Sequence, residues 1–555
     1  MMKLPVPMFA LALAAGCAAP EVPAARFANA AAVIRVDDRR DVPARPAERE
    51  FFHSYYHYNG MVQRRLTRAM ELPRSERALG VNALDEVPDS TWFTNRIGIR
   101  DLTLDEVRTG PIEVGSPELH KPWTVRSTKT GGSEFGLMVT DARGVKFMLK
   151  FDRPGNVEQE TAAHVIVGKL LWACGFNVTE DHVVLFRPEE LVLAPDAKDH
   201  DSFGNKRPLG RGELDARLAG LGTAPDGRIR ALASLWLAGK PLGGHPAEGV
   251  RVDDPNDRIP HQLRRDLRGA YAMFAWLDHV DVQESNFLDM WVEEGRWHYV
   301  KHYLLDFGKA LGVMSTTDRN SRHGFEYVVD FAAMLRSLFT AGTVQRPWEG
   351  RAPSPRRGVG MFRAEDFDPG AWKPDSPAYV PFLTADRFDK FWGTKILIRL
   401  SREQIRAVVE SARLSDPRAI DYLTDTLVAR QRATARYWFD RVNPLDHFTA
   451  APDGTGTSLC FDDLALVYRL GPDGAATQYR ITAYDAEARM RGVTVLARPD
   501  ASGHACSGPL SLAPHDGYTI LRIETARPGF SKQTFVHIAH DPASGAPRVI
   551  GIWRQ

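Results

Sequence analysis

HVDVQESNF, residues 279–287, stands one hairpin ahead of YLLDFG, residues 303–308. The residues before it, HQLRRDLRGAYAMFAWLDH, put Leu263, Leu267, Ala270, Phe274 and Leu277 at alternating spacings of four and three. That pattern predicts a helix with one apolar face, running straight into His279. The residues between the two stretches, LDMWVEEGRWHYVKHYLL, read as two strands turning at Glu294-Gly295. A helix therefore delivers a polar loop, and a hairpin carries the chain on to Asp306. The loop can bring Asp281 to an acceptor hydroxyl, and Asn286, five residues on, offers a neutral oxygen to a metal. Asp306 adds a carboxylate able to bridge Mg²⁺ to phosphate oxygens. Phosphoryl transfer needs little else beyond positioned phosphates and stabilised charge.

Upstream, from Lys121, the apolar pattern has period two. PWTVRSTKT, GLMVTD and VKFMLKFD read as strands joined by the turns GGSEFG and ARG. Lys150 ends the third strand between Leu149 and Phe151 and is the candidate phosphate-binding lysine, with Lys146 on the same face. EQETAAHVIVGKLLWACGF follows as a helix, apolar at 162, 166, 170 and 173. Glu158 and Glu160 are the acids available to pair with Lys150. Glu158 is preferred because it continues the stripe of Ala162, Ile166 and Leu170. Gly131, Gly132 and Gly136 form a glycine-rich turn ahead of the second strand, where it could cover phosphates.

His279-x-Asp281-x-x-x-x-Asn286 and Asp306-Phe307-Gly308, in that order with a hairpin between, resemble the catalytic loop and metal-binding triplet of protein kinases. Residues 121–445 as a whole resemble the protein-kinase-like superfamily, in an atypical branch. The glycine turn is not G-x-G-x-x-G, and KALGVMSTTDRNSRHGFEY, after the triplet, lacks the A-P-E element that docks peptides. The likeness leans to atypical, lipid, small-molecule, HipA-like or spore-coat-type kinases. It implies an α+β, bilobal protein-kinase-like fold with a β-rich N-lobe and a helical C-lobe. It also implies ATP and Mg²⁺ as cofactors and transfer of the gamma-phosphate to a hydroxyl acceptor. In this reading Asp281, Lys150 and Glu158 are catalytic, and Gly131, Gly132, Gly136 and Lys150 bind the nucleotide. Asn286 and Asp306 hold metal. His279 packs the loop, and Asp278, a rival base, continues the helix stripe and is structural.

The rest of the chain divides by composition. MMKLPVPMFALALAAGCAAP has one Lys, a short apolar run and Gly16-Cys17, which fits a secretory signal. Ala14-Ala15-Gly16 before Cys17 resembles a bacterial lipobox, although Leu13 stands one place early. That resemblance implies lipidation at Cys17, a membrane anchor of more than one acyl chain and, with Ala18 following, the periplasmic side of an outer membrane. The expected divisions are signal 1–17, flexible tether 18–48, helical or wrapping extension 49–115, N-lobe 116–250, C-lobe 251–447 and a C-terminal β-sandwich-like domain 448–555. In the extension, Trp92 and Tyr55-Tyr56 read as core. Residues 195–228 read as an inserted loop, and Asp199 and Asp201 lack the glycine and glutamate spacing of a calcium loop. Ser401 with Gln404, and Asp416 with Pro417, mark two helix starts. In an oxidising compartment Cys460 and Cys506 can pair, whereas Cys174 sits in an apolar helix; no C-x-x-C pair offers a cysteine zinc site.

Composition adds exclusions. The 71 basic and 70 acidic residues nearly cancel, to +1, so no global field points to nucleic acid. The partners expected are nucleotide, a membrane through the lipid anchor, and an envelope protein or glycan on the C-terminal domain. The rival reading is a pseudokinase or envelope scaffold, since ATP is scarce outside the cytoplasm. A carbohydrate hydrolase using Asp281 and Asp306 would need a set carboxylate gap of about 5–10 Å and leaves Lys150 and Asn286 without a role.

Overall fold

The computed structural model describes residues 22–555 apart from 71–75, 130–134, 202–204, 225, 314–321, 353, 355 and 455. Cys17 and its signal, and Gly131 and Gly132, lie outside the described residues. Two compact units form. One comprises Ala32–Pro444 with Asp463–Asp473; the other takes the chain up to Ala31 with Leu445–Asp462 and Gly474–Gln555. Residues 116–250 and 251–447, expected as two lobes, thus fall mostly in one unit, and 463–473 leave the β domain for it. The expected tether is packed instead. Asp38 is buried and accepts from Thr91 N and Oγ1 at 2.7 and 2.8 Å, and Val42 N donates to His298 O at 2.7 Å.

In the larger unit β1 (Trp123–Thr128), β2 (Gly136–Thr140), β3 (Lys146–Phe151), β4 (Asp181–Phe186), β5 (Leu191–His200), β6 (Lys206–Pro208) and β7 (Ile229–Leu235) form one sheet in the order β4-β7-β3-β2-β1-β5-β6. Period-two alternation splits β3 cleanly. Phe147, Leu149 and Phe151 enter one core, with Val139, Trp123 and Phe186, while Met148 and Lys150 point to the other face. Helix α1 (Gln159–Cys174) is buried nearly all round, as its run of Ala, Val, Ile and Leu requires. The segment 195–228 is not a loop. It supplies the end of β5, then β6, then helix α2 (Arg211–Ala219), whose Leu214 and Leu218 close the core face of the sheet. Its Asp199 is buried and held by Arg217 at 2.8 and 2.9 Å, which gives that carboxylate a structural task.

Helix α3 (Arg265–Leu277) is buried throughout and crosses α4 (Arg387–Leu397) at a glycine contact. A Cβ on Gly269 would stand 2.4 Å from the Trp392 ring, so only glycine permits this approach. Helices α5 (Arg402–Ser411) and α6 (Pro417–Phe439) start where the sequence marks them: Ser401 and Gln404 make a reciprocal capping box, and Asp416 caps ahead of Pro417. Strands β8 (Lys240–Pro241), β9 (Phe287–Glu294) and β10 (Trp297–Leu304) form a small sheet, with β9 and β10 as a hairpin. From the extension, Trp92 is core but Tyr55 is 62% exposed, contrary to expectation, because the short helix His53–Tyr58 turns it outward. No helix among the described residues is long and apolar enough to cross a membrane.

The smaller unit has two sheets. β11 (Leu445–Asp453), β12 (Gly456–Asp463) and β15 (His504–Cys506) form one; β13 (Gln478–Tyr484), β14 (Met490–Ala497), β16 (Thr519–Arg527), β17 (Phe530–His540) and β18 (Pro547–Arg554) form the other, in the order β14-β13-β16-β17-β18. Leu459 and Phe461 from the first meet Ile481, Ile523 and Val536 from the second in one core. Cys460 and Cys506 face each other across β12 and β15 and are joined as a disulfide. Val22, from the supposed tether, packs against Ile520 and Phe535.

His537 in β17 is fully buried, its Nδ1 3.0 Å from the Tyr518 hydroxyl, and burial pushes its pKa down to about 3. The unfolded chain binds this proton near pH 6.5, so the folded-state value is depressed and stability falls as pH drops from 6.5 toward 3. The loss between pH 6.5 and 5 is about 2 kcal/mol. Melting of His537→Gln followed across that range should be flatter than wild type; equal slopes would refute the assignment.

Candidate functional site

The chain from α3 into the opening stretch is locked before it reaches Asp281. Asp278 ends α3 in the left-handed region, φ 51°, and accepts from Trp372 Nε1 at 2.9 Å. Arg430 of α6 donates to the carbonyls of Ala275 and Trp276 at 2.7 and 2.9 Å, satisfying the helix end. Asp278 is thus structural, as its place on the stripe suggests. His279 packs edgewise on Phe307, with ring centroids 5.6 Å apart, and burial lowers its pKa to about 4. It is a packing residue.

Beyond His279 the loop is laced to the segment following the hairpin. Val280 N donates to Lys309 O at 3.3 Å, and Leu305 N donates to Asn286 O at 3.1 Å. Asn286 Nδ2 donates to Asp281 O at 2.7 Å, and its amide oxygen accepts only a long bond, 3.5 Å, from Gln283 Nε2. The extension braces the loop from outside: Arg49 pairs with Glu284 at 2.6 Å, and His57 Nε2 meets Gln283 Oε1 at 3.1 Å.

Asp306 stands at the hairpin's exit with φ 62°, a strained conformation for a residue with a Cβ. Lys150 Nζ donates to its Oδ1 at 2.8 Å. Asp306 keeps 40% of its side chain exposed, whereas Lys150 keeps 17%. Burial raises the Asp306 pKa, but the charges of Lys150 and His164 outweigh it and hold the carboxyl well below its usual range. Burial likewise lowers the Lys150 pKa, and Asp306, Asp181 and Glu160 overcome it, leaving the ammonium raised. Both groups are therefore ionised at neutral pH. The pair lines a cleft of about 290 Å³ whose other walls, Met148, Trp236, Pro241, Leu288 and Met290 among them, are mainly apolar. Gly136 lies directly opposite Lys150 in the β2–β3 ladder, and a Cβ there would come within 2.9 Å of Leu149 O.

The structure corrects the choice between Glu158 and Glu160 and adds two residues. Glu158 does not reach Lys150. It precedes α1 with φ 80°, so it lies off the helix stripe, and its carboxylate accepts from Ser415 N and Oγ at 3.2 and 3.1 Å. Glu160, inside the first turn and buried, is the helix acid whose charge acts on Lys150, and a Cβ on Gly308 would stand 2.8 Å from its Oε1. His164, one turn further on and buried, has Nε2 3.5 Å from Asp306 and Nδ1 3.7 Å from Asp181. A histidine inside an otherwise apolar helix run was the available signal. Lys309, two residues past Phe307, pairs with Asp281 Oδ2 at 3.0 Å. Burial lowers its pKa, and the charges of Asp281, Asp375 and Asp306 raise it further than that. Asp281 and Asp306 thus each face a lysine.

No family model matches the chain. No curated protein matches it. Among solved structures, a Helicobacter pylori proinflammatory kinase, CtkA, aligns at 11% identity and a TM-score of 0.30, over 56% of this chain and 94% of that one. The Golgi casein kinase with Mn/ADP bound aligns at 11% identity and 0.28, over 60% of this chain and 73% of that one. At these scores neither likeness establishes a shared fold.

Proposed function

We propose that the larger unit is a kinase-like phosphotransferase that moves the gamma-phosphate of ATP to a hydroxyl acceptor. The observation that carries this reading is the Lys150–Asp306 pair in the lining of a mainly apolar cleft. An adenine ring suits the walls formed by Met148, Trp236 and Met290, which leaves the phosphates toward Lys150. Asp306 and the amide oxygen of Asn286 are hard oxygen donors of the kind Mg²⁺ takes, and Mg²⁺ so held would neutralise phosphate charge. Asp281 orients the acceptor hydroxyl and takes its proton. Glu160, rather than Glu158, steadies Lys150. Gly136 lets the β2 backbone approach closely beside Lys150. Gly131 and Gly132 are assigned to the phosphate cover on sequence alone. So are lipidation at Cys17 and residence on the periplasmic face of a bacterial outer membrane, with the smaller unit available for an envelope protein or glycan.

Lys309 extends the mechanism. Paired with Asp281 and subject to the charge of Asp306, it would offset charge that develops on the phosphoryl group during transfer. Lys309→Met is expected to lower kcat by roughly 10²–10³-fold with nucleotide KM changed by less than about 3-fold. Lys309→Arg should restore part of the loss. A KM effect equal to the kcat effect would instead mean that Lys309 only helps bind nucleotide.

A pseudokinase is the second reading. It predicts nucleotide binding without transfer, and the export signal favours it because the donor is scarce outside the cytoplasm.

A further inference from the structure

Behind the hairpin lies a cluster the phosphotransfer reading does not use. Asp289 on β9 and His302 on β10 are directly opposite in register, with His302 Nδ1 2.7 Å from Asp289 Oδ1. His245, from the loop after β8, brings its Nδ1 to 3.7 Å from the same oxygen. One donor atom from each of the three residues lies within 4.8 Å of the other two, and all three side chains are buried. His245 is 1% exposed, and its Nδ1 makes no hydrogen bond, while its Nε2 is satisfied by the Tyr379 hydroxyl at 3.1 Å. An orphan imidazole nitrogen in such a place is destabilising unless something else binds it.

The surroundings hold the three donors in aim. Arg251 takes the other carboxylate oxygen, Oδ2, at 3.2 Å and is itself offset by Asp253 at 3.3 Å, so Oδ1 is left for the imidazoles. Trp92 stacks on His302 at 3.5 Å between centroids, which fixes that ring. His261, held by Asp257 at 2.8 Å, packs its ring against His245 at 4.9 Å. A void of about 10 Å³ lined by His245, His302 and Asp266 adjoins the cluster, enough for one water.

We propose that His245, Asp289 and His302 bind a structural zinc-class divalent cation, with a water as fourth ligand. Two imidazole nitrogens and one carboxylate oxygen are a zinc-type donor set and a poor match to Mg²⁺. An ion about 2 Å from each donor would part His302 Nδ1 and Asp289 Oδ1, now 2.7 Å apart, draw His245 Nδ1 in from 3.7 Å, and fill its valence. It would also pin the hairpin that ends in Asp306 to the loop that leads toward α3. The cluster is independent of the phosphotransfer reading and stands if that reading fails.

The test uses the full chain, tag-free, with Zn²⁺ or Co²⁺ as the probe. After gel filtration, elemental analysis should find about one zinc per chain, unchanged in Asp306→Asn and lost in His245→Gln and Asp289→Asn. Chelation should lower Tm, and Zn²⁺ alone should restore it. Should the variants fail to fold, Co²⁺-loaded wild type decides, because tetrahedral nitrogen and oxygen ligation gives intense visible bands. Background zinc in folded wild type with a Tm indifferent to chelator and Zn²⁺ overturns the proposal. So does an octahedral Co²⁺ spectrum, or zinc retained in full by both variants.

Discussion

Asp306→Asn is expected to abolish phosphotransfer by at least ~10³-fold, about 4 kcal/mol of transition-state stabilisation. The substitution keeps size and removes the charge that Lys150 meets at 2.8 Å and that a metal would share. Because Asp306 is 40% exposed to the cleft, the carboxylate is accessible to a ligand as well as paired. Wild type with Mg²⁺ and ATP at 100-fold over Kd should gain about 2.7 kcal/mol of stability. The variant should lose that gain while its unliganded melting stays within a few degrees, since asparagine can still accept from Lys150. Asp281→Asn should behave differently: binding and its thermal shift persist while transfer fails. If wild type shows no shift with any nucleotide, the phosphotransferase and pseudokinase readings both fall. A shift without transfer to any acceptor in a broad panel leaves the pseudokinase.

The elements legible in the sequence were those whose information is local. The α3 stripe, the β9–β10 turn at Gly295 and the caps at Ser401 and Asp416 each rest on a few neighbouring residues. Lys150 and Asp306 were found through strand alternation and motif order, and their contact at 2.8 Å was then a matter of tertiary structure. Glu158 departs from its expected place because a stripe argument presumes a helix already begun, and this residue precedes the first turn with a left-handed backbone. Residues 195–228 read as a loop because Gly and Asp are the commonest residues there. Only Leu214 and Leu218, four apart, betray a helix that covers a sheet. His245, Asp289 and His302 could not be joined in advance, since nothing local links a loop before α3 to the two strands after it.

The helix that delivers the loop depends on a buried ion network, and breaking it should have the largest effect on stability. Asp389 of α4 is fully buried and lies 2.8 Å from Arg265 Nε and 2.6 Å from Arg268 Nε, both on α3. The two arginines are almost wholly buried as well, and Arg265 also meets Asp85 of the extension at 3.1 Å. Asp389→Ala leaves Arg265 with Asp85 alone and Arg268 with only the more distant Asp386, in a site with little water, and the expected cost is about 3–5 kcal/mol. Because α3 runs into His279, transfer activity at moderate temperature should fall along with Tm. The cost comes from the orphaned charges more than from lost attraction. Replacing Asp389, Arg265 and Arg268 together by apolar residues of similar volume should therefore recover most of the stability. A double-mutant cycle over Asp389 and Arg268, read by denaturant unfolding, measures the coupling directly. A coupling near zero would mean that the α3–α4 contact is held by the Gly269–Trp392 packing alone.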